Sequence, residues 1–378
     1  MKKIEMVDLH GQYEKIKPEI DAAIQEVINN TAFINGPEVK LFAKELAKYL
    51  NIPHVIPCAN GTDALQIALM ALDLQRGDEI ITSSFTFIAT VEVIALLGLK
   101  PVLVDVDPNT FNIVPGEVEK AITPRTKAII PVHLFGQCAN MVALQNIAKK
   151  NNLAIIEDAA QALGTDYIFH GNKTRKAGTM GEIGCTSFFP SKNLGCFGDG
   201  GALFTGDEKL ANTILSIRNH GSMVKYHNER IGVNSRFDTL QAAITRAKLK
   251  YLDDYNKARQ KAAKFYDEHL SKIKGITIPA KTSFSTHIYH QYTLLTDDEI
   301  SRDDLKSHLA FKGIPSMIYY PIPLHQQKAF TYLGYKNISL PVTEKLCENV
   351  LSLPMHTELE EEQLAYICQS INEFVNSR

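Results

Sequence analysis

The sequence predicts an α/β protein whose larger domain is built on a mostly parallel β-sheet. Over the first half of the chain, short β-rich apolar runs alternate with stretches of helical composition, which is the pattern of βαβ units. Most of these runs are apolar throughout, as expected for strands that are covered on both faces. After about residue 237 the pattern changes to a long helical stretch and then to a smaller α+β region. We therefore expect two domains, residues 1–245 with an N-terminal arm and residues 246–378.

The elements of the larger domain follow from local composition. Two helices in the arm, 18–29 and 37–50, each begin with proline, which the first turn of a helix accommodates. Apolar, β-branched runs predict strands at 79–83, 101–106, 127–133, 153–158, 184–189 and 201–205. Helical spacing or composition predicts helices at 62–72, 87–97, 141–151 and 207–219. The polar, glycine-rich segment 164–184 is expected to leave the sheet as an excursion or hairpin.

The region after residue 237 begins with one predicted helix, 239–270, because apolar residues such as Leu240, Ile244 and Leu252 recur at mostly helical offsets. This helix is expected to link the two domains. The predicted elements that follow are a strand at 290–295, a helix at 302–312, a proline-rich segment at 319–324 and a helix at 358–375.

Composition and charge exclude several classes of protein. With 45% hydrophobic and 22% charged residues among 378, the chain has the composition of a folded globular protein. Its formal charge of -2 offers no general attraction to nucleic acid or to an anionic membrane, and no apolar run approaches a membrane span or a signal peptide. The six cysteines contain no CxxC pair and are expected to be buried free thiols. We therefore expect a cytoplasmic protein with no nucleic-acid partner, no membrane contact and no metal site.

The segment after Cys58 could bind a phosphate. Asn60 and Gly61 lead into an apparent helix start, where Thr62 and Asp63 could act as caps. Backbone N–H groups at the positive end of a helix suit a phosphate. The alternative interpretation is an ordinary helix start, because a Gly-Thr pair alone is a weak signal.

Glu157 and Asp158 end a very apolar predicted strand, at the edge where open α/β sheets bind ligands. Neighbouring strand residues point to opposite faces, so only one of the two carboxylates can face a given site. The alternative is that they cap the helix predicted to follow.

Lys192 follows a predicted strand, after Pro190 and Ser191 and before a glycine-rich run. A lysine at a strand end in partly apolar surroundings can have a lowered pKa, and the neutral amine can attack a carbonyl to form a Schiff base. The alternative is a solvated surface charge. The glycine-rich run does not match a dinucleotide fingerprint, and the chain has no Walker lysine loop, so nicotinamide and ATP chemistry lose their main support.

Two further segments carry polar residues in irregular stretches. Asn234 and Arg236 precede the long predicted helix, where they could reach another surface or serve as turn and cap residues. Tyr320 and His325 lie in and directly after the proline-rich segment, where aromatic side chains commonly serve packing.

Taken together, these segments resemble the DegT/StrS-type sugar aminotransferases. Those enzymes depend on pyridoxal 5'-phosphate, have fold type I and aminate keto sugars carried on nucleotides. Lys192 distinguishes the chain from the dehydratase relatives that lack this lysine. The similar segments occur in the same order along the chain: ANGTDAL, SFTFIAT, VDVDPNT, AIIPVHLFG, IEDAAQ, TSFFPSKNLG, GDGGA, NHG, GVNSRFDTLQAA and YYPIPLH.

The resemblance implies a set of cofactor-binding residues. Lys192 would bind the cofactor covalently and move the substrate proton, and Asp158 would pair with the ring nitrogen. Asn234 would reach the phosphate of the neighbouring subunit, so the resemblance implies a homodimer with shared active sites. Phe87 would stack on the ring, Gln161 would sit beside the ring oxygen or the phosphate, and the phosphate would be held by Gly61, Thr62, Asp63 and Ser187.

Within the family, the chain is most similar to the enzymes that aminate UDP-2-acetamido-2-deoxy-3-oxo-glucuronate with L-glutamate as amino donor. Arg236 would bind a carboxylate, and Tyr320 would help to seat the substrate. His325 would contact the sugar at a position where the resemblance leads us to expect asparagine. The product would be a precursor of surface polysaccharide or lipopolysaccharide O antigen. The alternatives are a 4-keto or 3-keto 6-deoxy sugar on dTDP or UDP as substrate, or a non-catalytic sensor or scaffold.

Overall fold

The computed structural model describes residues 2–335 and 338–377. The strands are β1 (His54–Cys58), β2 (Glu79–Ser83), β3 (Lys100–Val104), β4 (Thr126–Ile130), β5 (Ala154–Asp158), β6 (Asp166–Ile168), β7 (Thr174–Lys176), β8 (Ile183–Ser187), β9 (Gly201–Thr205), β10 (Ser222–Val224), β11 (His227–Asn228), β12 (Ile276–Thr277), β13 (Tyr292–Thr296) and β14 (Val350–Leu353). The helices are α1 (Leu9–Asn29), α2 (Pro37–Leu50), α3 (Gly61–Ala71), α4 (Ala89–Leu96), α5 (Pro115–Ala121), α6 (Met141–Asn151), α7 (Glu208–Ile217), α8 (Thr239–Leu249), α9 (Leu252–Leu270), α10 (Arg302–Phe311), α11 (Pro341–Asn349) and α12 (Glu361–Asn376).

A seven-stranded sheet with the order β1-β9-β8-β5-β4-β2-β3 organises the larger part of the molecule. β9 is antiparallel to both of its neighbours, and the other pairs are parallel. The predicted α/β class with a mostly parallel sheet is therefore confirmed. Because the carboxyl ends of parallel strands meet at one edge, this topology gathers the residues that follow β1, β2, β5 and β8.

Two apolar layers cover the sheet. Apolar side chains of α3, α4 and α7 pack on one face, together with Ile156. Apolar side chains of α6 and of the β6–β7 hairpin pack on the other face, together with Ile155. This alternation within β5 is the reason why its two terminal carboxylates separate, as described below.

The predicted helix 239–270 is two helices, and this prediction was wrong. α8 ends at Leu249 and α9 begins at Leu252, with a turn in which the Tyr251 N–H donates to the Lys248 carbonyl at 2.9 Å. The two helices belong to different cores: α8 packs against α1 and α2, whereas most of the buried face of α9 packs in the C-terminal region. An apolar pattern that continues through a tight turn conceals the turn.

α1 begins nine residues before the predicted start of that helix. Asp8 caps it, since its carboxylate accepts from the Gly11 N–H at 2.7 Å. Ile16 has non-helical backbone angles (φ -124°, ψ 17°), so Pro18 lies in the first turn after a kink, where its missing N–H is tolerated.

The C-terminal region is an antiparallel sheet, β12-β13-β14, covered by α9, α10 and α12. It is joined to the larger part through Asp105, which follows β3 and caps α11. One carboxylate oxygen accepts from the Thr343 N–H and hydroxyl at 2.8 and 2.7 Å, and the other accepts from the Val342 N–H at 3.0 Å. The domain boundary at 245/246 stays a prediction.

All six cysteines are buried and unpaired, as expected. Within residues 2–335 and 338–377, no helix is both long enough and apolar enough to cross a membrane.

Candidate active site

The N-terminus of α3 lies at the carboxyl edge of the sheet. Its cap is Asn60, whose side-chain oxygen accepts from the Asp63 N–H at 2.7 Å, so the expectation that Thr62 and Asp63 are the caps was wrong. Asn60 has the extended backbone that a capping residue needs, and the helix already begins at Gly61. A Cβ atom on Gly61 would lie 2.7 Å from the Ser187 Cβ. Glycine is therefore required for this close approach of α3 to the end of β8.

Asp158 ends β5 with a carboxylate that is only 6% exposed. The Thr90 hydroxyl donates to Oδ2 at 2.8 Å, and the Ala160 N–H donates to Oδ1 at 3.1 Å. Its backbone is fixed on both sides, because its N–H donates to the Pro131 carbonyl and its carbonyl accepts from the His133 N–H, both at 2.9 Å. Asp158 is therefore an immobilised acceptor at the edge where a ligand can bind.

Glu157 faces the opposite side of the sheet and is fully buried. Its carboxylate accepts from the backbone N–H groups of Gly178 at 2.9 Å, Gly181 at 2.5 Å and Met180. His133 Nε2 lies 2.8 Å from it, and His133 Nδ1 accepts from a backbone N–H, so the ring proton is on Nε2. Both oxygens of the Glu157 carboxylate are thus occupied by hydrogen bonds within the fold, and Asp158 is the carboxylate that is available to the site.

Lys192 lies in the loop between β8 and β9, where its backbone N–H donates to the Phe189 carbonyl at 2.8 Å. Burial lowers the pKa of its amine to about 8, and the nearby Asp158 carboxylate opposes this shift. A shift from 10.5 to about 8 raises the neutral fraction at pH 7 by about 300-fold. The structure therefore brings together a nucleophilic amine and a fixed carboxylate, which the sequence predicted separately.

Gln161 and Tyr320 form the other side of the site. Gln161 accepts from the Phe135 N–H at 2.8 Å and donates to the Tyr320 hydroxyl at 3.2 Å. Burial raises the pKa of Tyr320, so its phenol stays protonated. The Phe87 ring is 54% exposed and lies 6.4 Å, centroid to centroid, from the Tyr320 ring. Phe85 contacts Tyr320 as well but is buried, so Phe87 is the phenylalanine of this segment that a ligand could touch.

Asn234 and Arg236 lie on the segment that leads into α8. Asn234 is exposed, and its backbone pairs with Asn219. Between them, the Ser235 hydroxyl accepts from the Ala59 N–H at 3.1 Å. Arg236 Nε is buried and, among the residues that the structure describes, finds no hydrogen-bond acceptor.

His325 is buried, and protein groups engage both of its ring nitrogens. Nδ1 lies 2.8 Å from the Ser84 hydroxyl, and Nε2 lies 3.1 Å from the Glu344 carboxylate. These contacts fasten the Tyr319–Leu324 segment to the end of β2. The expected sugar contact of His325 stays a prediction.

The sequence did not point to Thr90, and it did not mark Asn60 as the cap of α3, although both residues hold the site together. Thr90 lies one helical turn after Phe87, and this spacing could have suggested that the two face the same cleft. Among the described residues, no group of three or more His, Cys, Asp or Glu side chains is arranged to hold a metal ion.

Comparison with known proteins identifies the family. Residues 14–372 match the DegT/DnrJ/EryC1/StrS aminotransferase family. The chain is 46% identical to the UDP-2-acetamido-2-deoxy-3-oxo-D-glucuronate aminotransferase of Pseudomonas aeruginosa, over 97% of this chain and 99% of that protein. It is equally identical, 46% over 98% of both chains, to the pleiotropic regulatory protein of Geobacillus stearothermophilus. Identity to the dTDP-3-amino-3,4,6-trideoxy-alpha-D-glucose transaminase of Streptomyces venezuelae is 39%, over 98% of this chain and 96% of that one.

Solved structures share the whole architecture. DesV of S. venezuelae, in complex with a ketimine intermediate, superimposes with a TM-score of 0.94 at 39% identity and 99% coverage of both chains. NtdA of Bacillus subtilis, with bound cofactor PMP, superimposes with a TM-score of 0.92 at 32% identity, over 100% of this chain and 86% of that one. The predicted fold type I is confirmed. The chain belongs to the DegT/DnrJ/EryC1/StrS aminotransferase family.

Proposed function

We propose that the protein aminates a UDP-linked 3-keto sugar acid, UDP-2-acetamido-2-deoxy-3-oxo-glucuronate, with L-glutamate as amino donor. The protein is a nucleotide-sugar aminotransferase that depends on pyridoxal 5'-phosphate. The observation that carries the sugar-acid proposal is the Arg236 Nε–H, a buried donor that has no acceptor among the described residues. The relative that acts on this substrate, at 46% identity, supports the same assignment.

The residues of the site fit the cofactor. Gly61, the first residue of α3, has no side chain and approaches Ser187 closely, so backbone N–H groups at the start of this helix are open to a phosphate. Lys192 offers an amine of lowered pKa for covalent attachment, and Asp158 offers a fixed acceptor for a protonated ring nitrogen. When bound, pyridoxal 5'-phosphate supplies an aldehyde and a ring that delocalises the electron pair left at the substrate carbon.

The chain's own groups then bind, orient and move protons. Lys192 Nζ would move a proton between the substrate carbon and the cofactor, and a pKa of about 8 lets this amine accept and release a proton near neutral pH. Phe87 would stack on the ring, and the protonated Tyr320 phenol would donate to the substrate. Gln161 holds Tyr320 in place through its amide and would lie beside the ring of the cofactor.

Arg236 selects the substrate by binding the carboxylate of the substrate. A buried Nε–H donor without an acceptor is unfavourable, and a carboxylate that accepts from Nε and from a second guanidinium N–H in parallel would correct this. The sugar acid carries such a group at C6, and glutamate carries one as well. The product is the UDP-linked 3-amino sugar acid, a building block of surface polysaccharide or O antigen.

The proposal includes a homodimer in which Asn234 reaches the cofactor phosphate of the neighbouring subunit. Its exposure on the segment before α8 supports this. Large apolar side chains that are exposed in the single chain include Phe33, Ile34, Phe189, Phe197, Tyr226 and Ile231. A second subunit that covers part of this surface would remove it from water.

Mixing inactive variants tests the shared site. In a mixed dimer of Lys192→Ala and Asn234→Ala subunits, one site would contain both an intact Lys192 and an intact Asn234 from its neighbour. We expect refolded mixtures to regain activity that neither variant has alone. No recovery in mixtures that sediment as dimers would show that Asn234 does not act across the interface.

A panel of keto sugars tests the substrate. We expect turnover of the 3-keto sugar acid and a loss of at least about tenfold in kcat/KM for a matched sugar without the C6 carboxylate. Arg236→Gln should abolish that preference. Equal rates with and without the carboxylate would reject the sugar-acid assignment.

A second candidate substrate is a 6-deoxy keto sugar on dTDP or UDP, favoured by the transaminase relative of S. venezuelae. The same panel of keto sugars distinguishes this candidate from the sugar acid, because a 6-deoxy sugar has no C6 carboxylate. The alternative of a non-catalytic sensor or scaffold does not agree with the family match, which is to aminotransferases. The six unpaired cysteines support the cytoplasm as the compartment, because a reducing environment keeps such thiols free.

A further inference from the structure

The Thr90 side chain bonds to a group that is distant in sequence. It lies in the first turn of α4, is 1% exposed, and its hydroxyl donates to Asp158 Oδ2 at 2.8 Å. A helical threonine commonly bonds instead to the carbonyl four residues earlier. Thr245 in α8 does this, since its hydroxyl donates to the Gln241 carbonyl at 2.6 Å. The carbonyl four residues before Thr90 belongs to Thr86, which precedes α4, and the Thr90 hydroxyl donates instead to a carboxylate 68 residues away in sequence.

The two bonds on Asp158 fix its carboxylate plane. Oδ1 is held by the Ala160 N–H, which belongs to the turn directly after β5. Oδ2 is held by Thr90 alone among the hydrogen bonds described for it. Without the hydroxyl, the carboxylate could rotate about its last side-chain torsion, which is broad for aspartate.

The same short segment supplies the exposed Phe87. Phe87 and Thr90 are three residues apart at the start of α4, and the Thr90 N–H is within 3.4 Å of the Phe87 carbonyl. A ligand ring that contacts Phe87 and points its nitrogen at Asp158 would thus be oriented by two residues of the same short segment. Phe87 would contact the ring directly, and Thr90 would act through Asp158.

We propose that Thr90 is a positioning residue for amino transfer, which aims the Asp158 carboxylate at the cofactor ring nitrogen. This inference rests on the proposed function. Hydrogen bonds to charged acceptors are about twice as strong as neutral ones, so loss of this bond costs catalysis and not only packing. Thr90 acts through Asp158 and does not itself touch the substrate.

The test compares Thr90→Val, which keeps the shape, with Thr90→Ser, which keeps the hydroxyl. For Thr90→Val we expect kcat of the glutamate half-reaction to fall at least about tenfold with KM changed less than about twofold. The induced circular dichroism of the bound cofactor should change as well, because the ring is no longer held in one orientation. Thr90→Ser should restore both. Thr245→Val is the control for loss of a buried threonine hydroxyl, and it should leave both unchanged.

A double-mutant cycle with Asp158→Asn decides whether Thr90 acts through the carboxylate. We expect Thr90→Val to have no further effect on kcat or on the dichroism in the Asp158→Asn background. An additive loss, or a Thr90→Val protein with the dichroism and kcat of the wild type, would overturn the proposal. If Thr90→Val does not fold, Thr90→Ala replaces it in the same cycle.

Failure of this inference is distinguishable from failure of the proposed function. A wild-type protein that does not bind pyridoxal 5'-phosphate or accept nitrogen from glutamate contradicts the proposed function. A wild-type protein that does both, with a Thr90→Val variant that matches it, contradicts only the role of Thr90.

Discussion

Glu157 and Asp158 are adjacent in β5, yet their carboxylates serve opposite faces of the central sheet. Glu157 accepts three backbone N–H groups and contacts His133, whereas Asp158 accepts from Thr90 and the turn that follows. One position thus supports the fold and the next supplies the site. Because of this difference, variants of the two neighbouring residues can be compared as a matched pair.

Asp158→Asn should lower kcat by at least about 100-fold while leaving the unfolding free energy of the cofactor-free protein within about 1 kcal/mol of the wild type. Glu157→Gln should lower the unfolding free energy and should change kcat much less than Asp158→Asn does. It replaces one oxygen of the buried Glu157 carboxylate with an NH2 group that cannot accept from the backbone N–H groups there, and it should cost about 3 kcal/mol of unfolding free energy. Steady-state kinetics and urea unfolding measure the two effects. Similar losses of activity and stability in both variants would contradict the division of roles.

The amine of Lys192 should destabilise the cofactor-free protein below pH 8. Burial lowers its pKa from 10.5 to about 8, so between these values the unfolded chain binds a proton that the folded chain does not. Stability therefore rises with pH across this window, and the penalty is fully present below it. Lys192→Met should gain about 3 kcal/mol at pH 7, and this gain should shrink as pH approaches 10.5.

Urea unfolding of the cofactor-free proteins at pH 7 and at higher pH measures this gain. Lys209→Met, at an exposed lysine of α7, is the control and should show no pH-dependent difference. A Lys192→Met gain that does not vary with pH would exclude the buried charge as its cause.

Gly61→Ala should weaken cofactor binding by at least about tenfold, because the added Cβ would lie 2.7 Å from the Ser187 Cβ and must displace one side of the phosphate cradle. Gly206→Ala is the matched control, since no atom lies within 4 Å of the position of its Cβ. Fluorescence titration of the cofactor-free proteins gives both dissociation constants. Equal weakening in the two variants would show that the contact with Ser187 is irrelevant.

The cap that Asp105 places on α11 should couple the C-terminal region to the central sheet. Asp105→Ala leaves the Val342 and Thr343 N–H groups unpaired and should cost about 1–2 kcal/mol of unfolding free energy. Asp105→Asn keeps one oxygen acceptor and should fall in between. Thermal and urea unfolding check this order, and equal stability of the three proteins would mean that the cap contributes nothing.

Much of the sheet could be predicted because its elements carry local signals. β2, β9, α2 and α6 have the predicted bounds, since their apolar runs end at residues that stop or cap them. The break between α8 and α9 was missed because the apolar spacing continues through Tyr251. The start of α1 was missed because Pro18 marks the first turn after a kink and not the helix start.

The partners of the site residues depend on contacts between distant parts of the chain. Asn60, Thr62 and Asp63 are all suitable caps, and the choice of Asn60 follows from where α3 begins. The bond from Thr90 to Asp158 and the cap from Asp105 to α11 join residues far apart in sequence. Local composition and spacing contain no information on such pairs.

The central claim is that Lys192 is the residue that carries the cofactor covalently. Borohydride reduction of the protein loaded with pyridoxal 5'-phosphate, followed by peptide mass mapping, tests it directly. We predict one stable adduct, on the peptide that contains Lys192, and none in Lys192→Ala. An adduct on Lys248, a buried lysine whose pKa is also lowered to about 8, or no adduct at all would contradict the account.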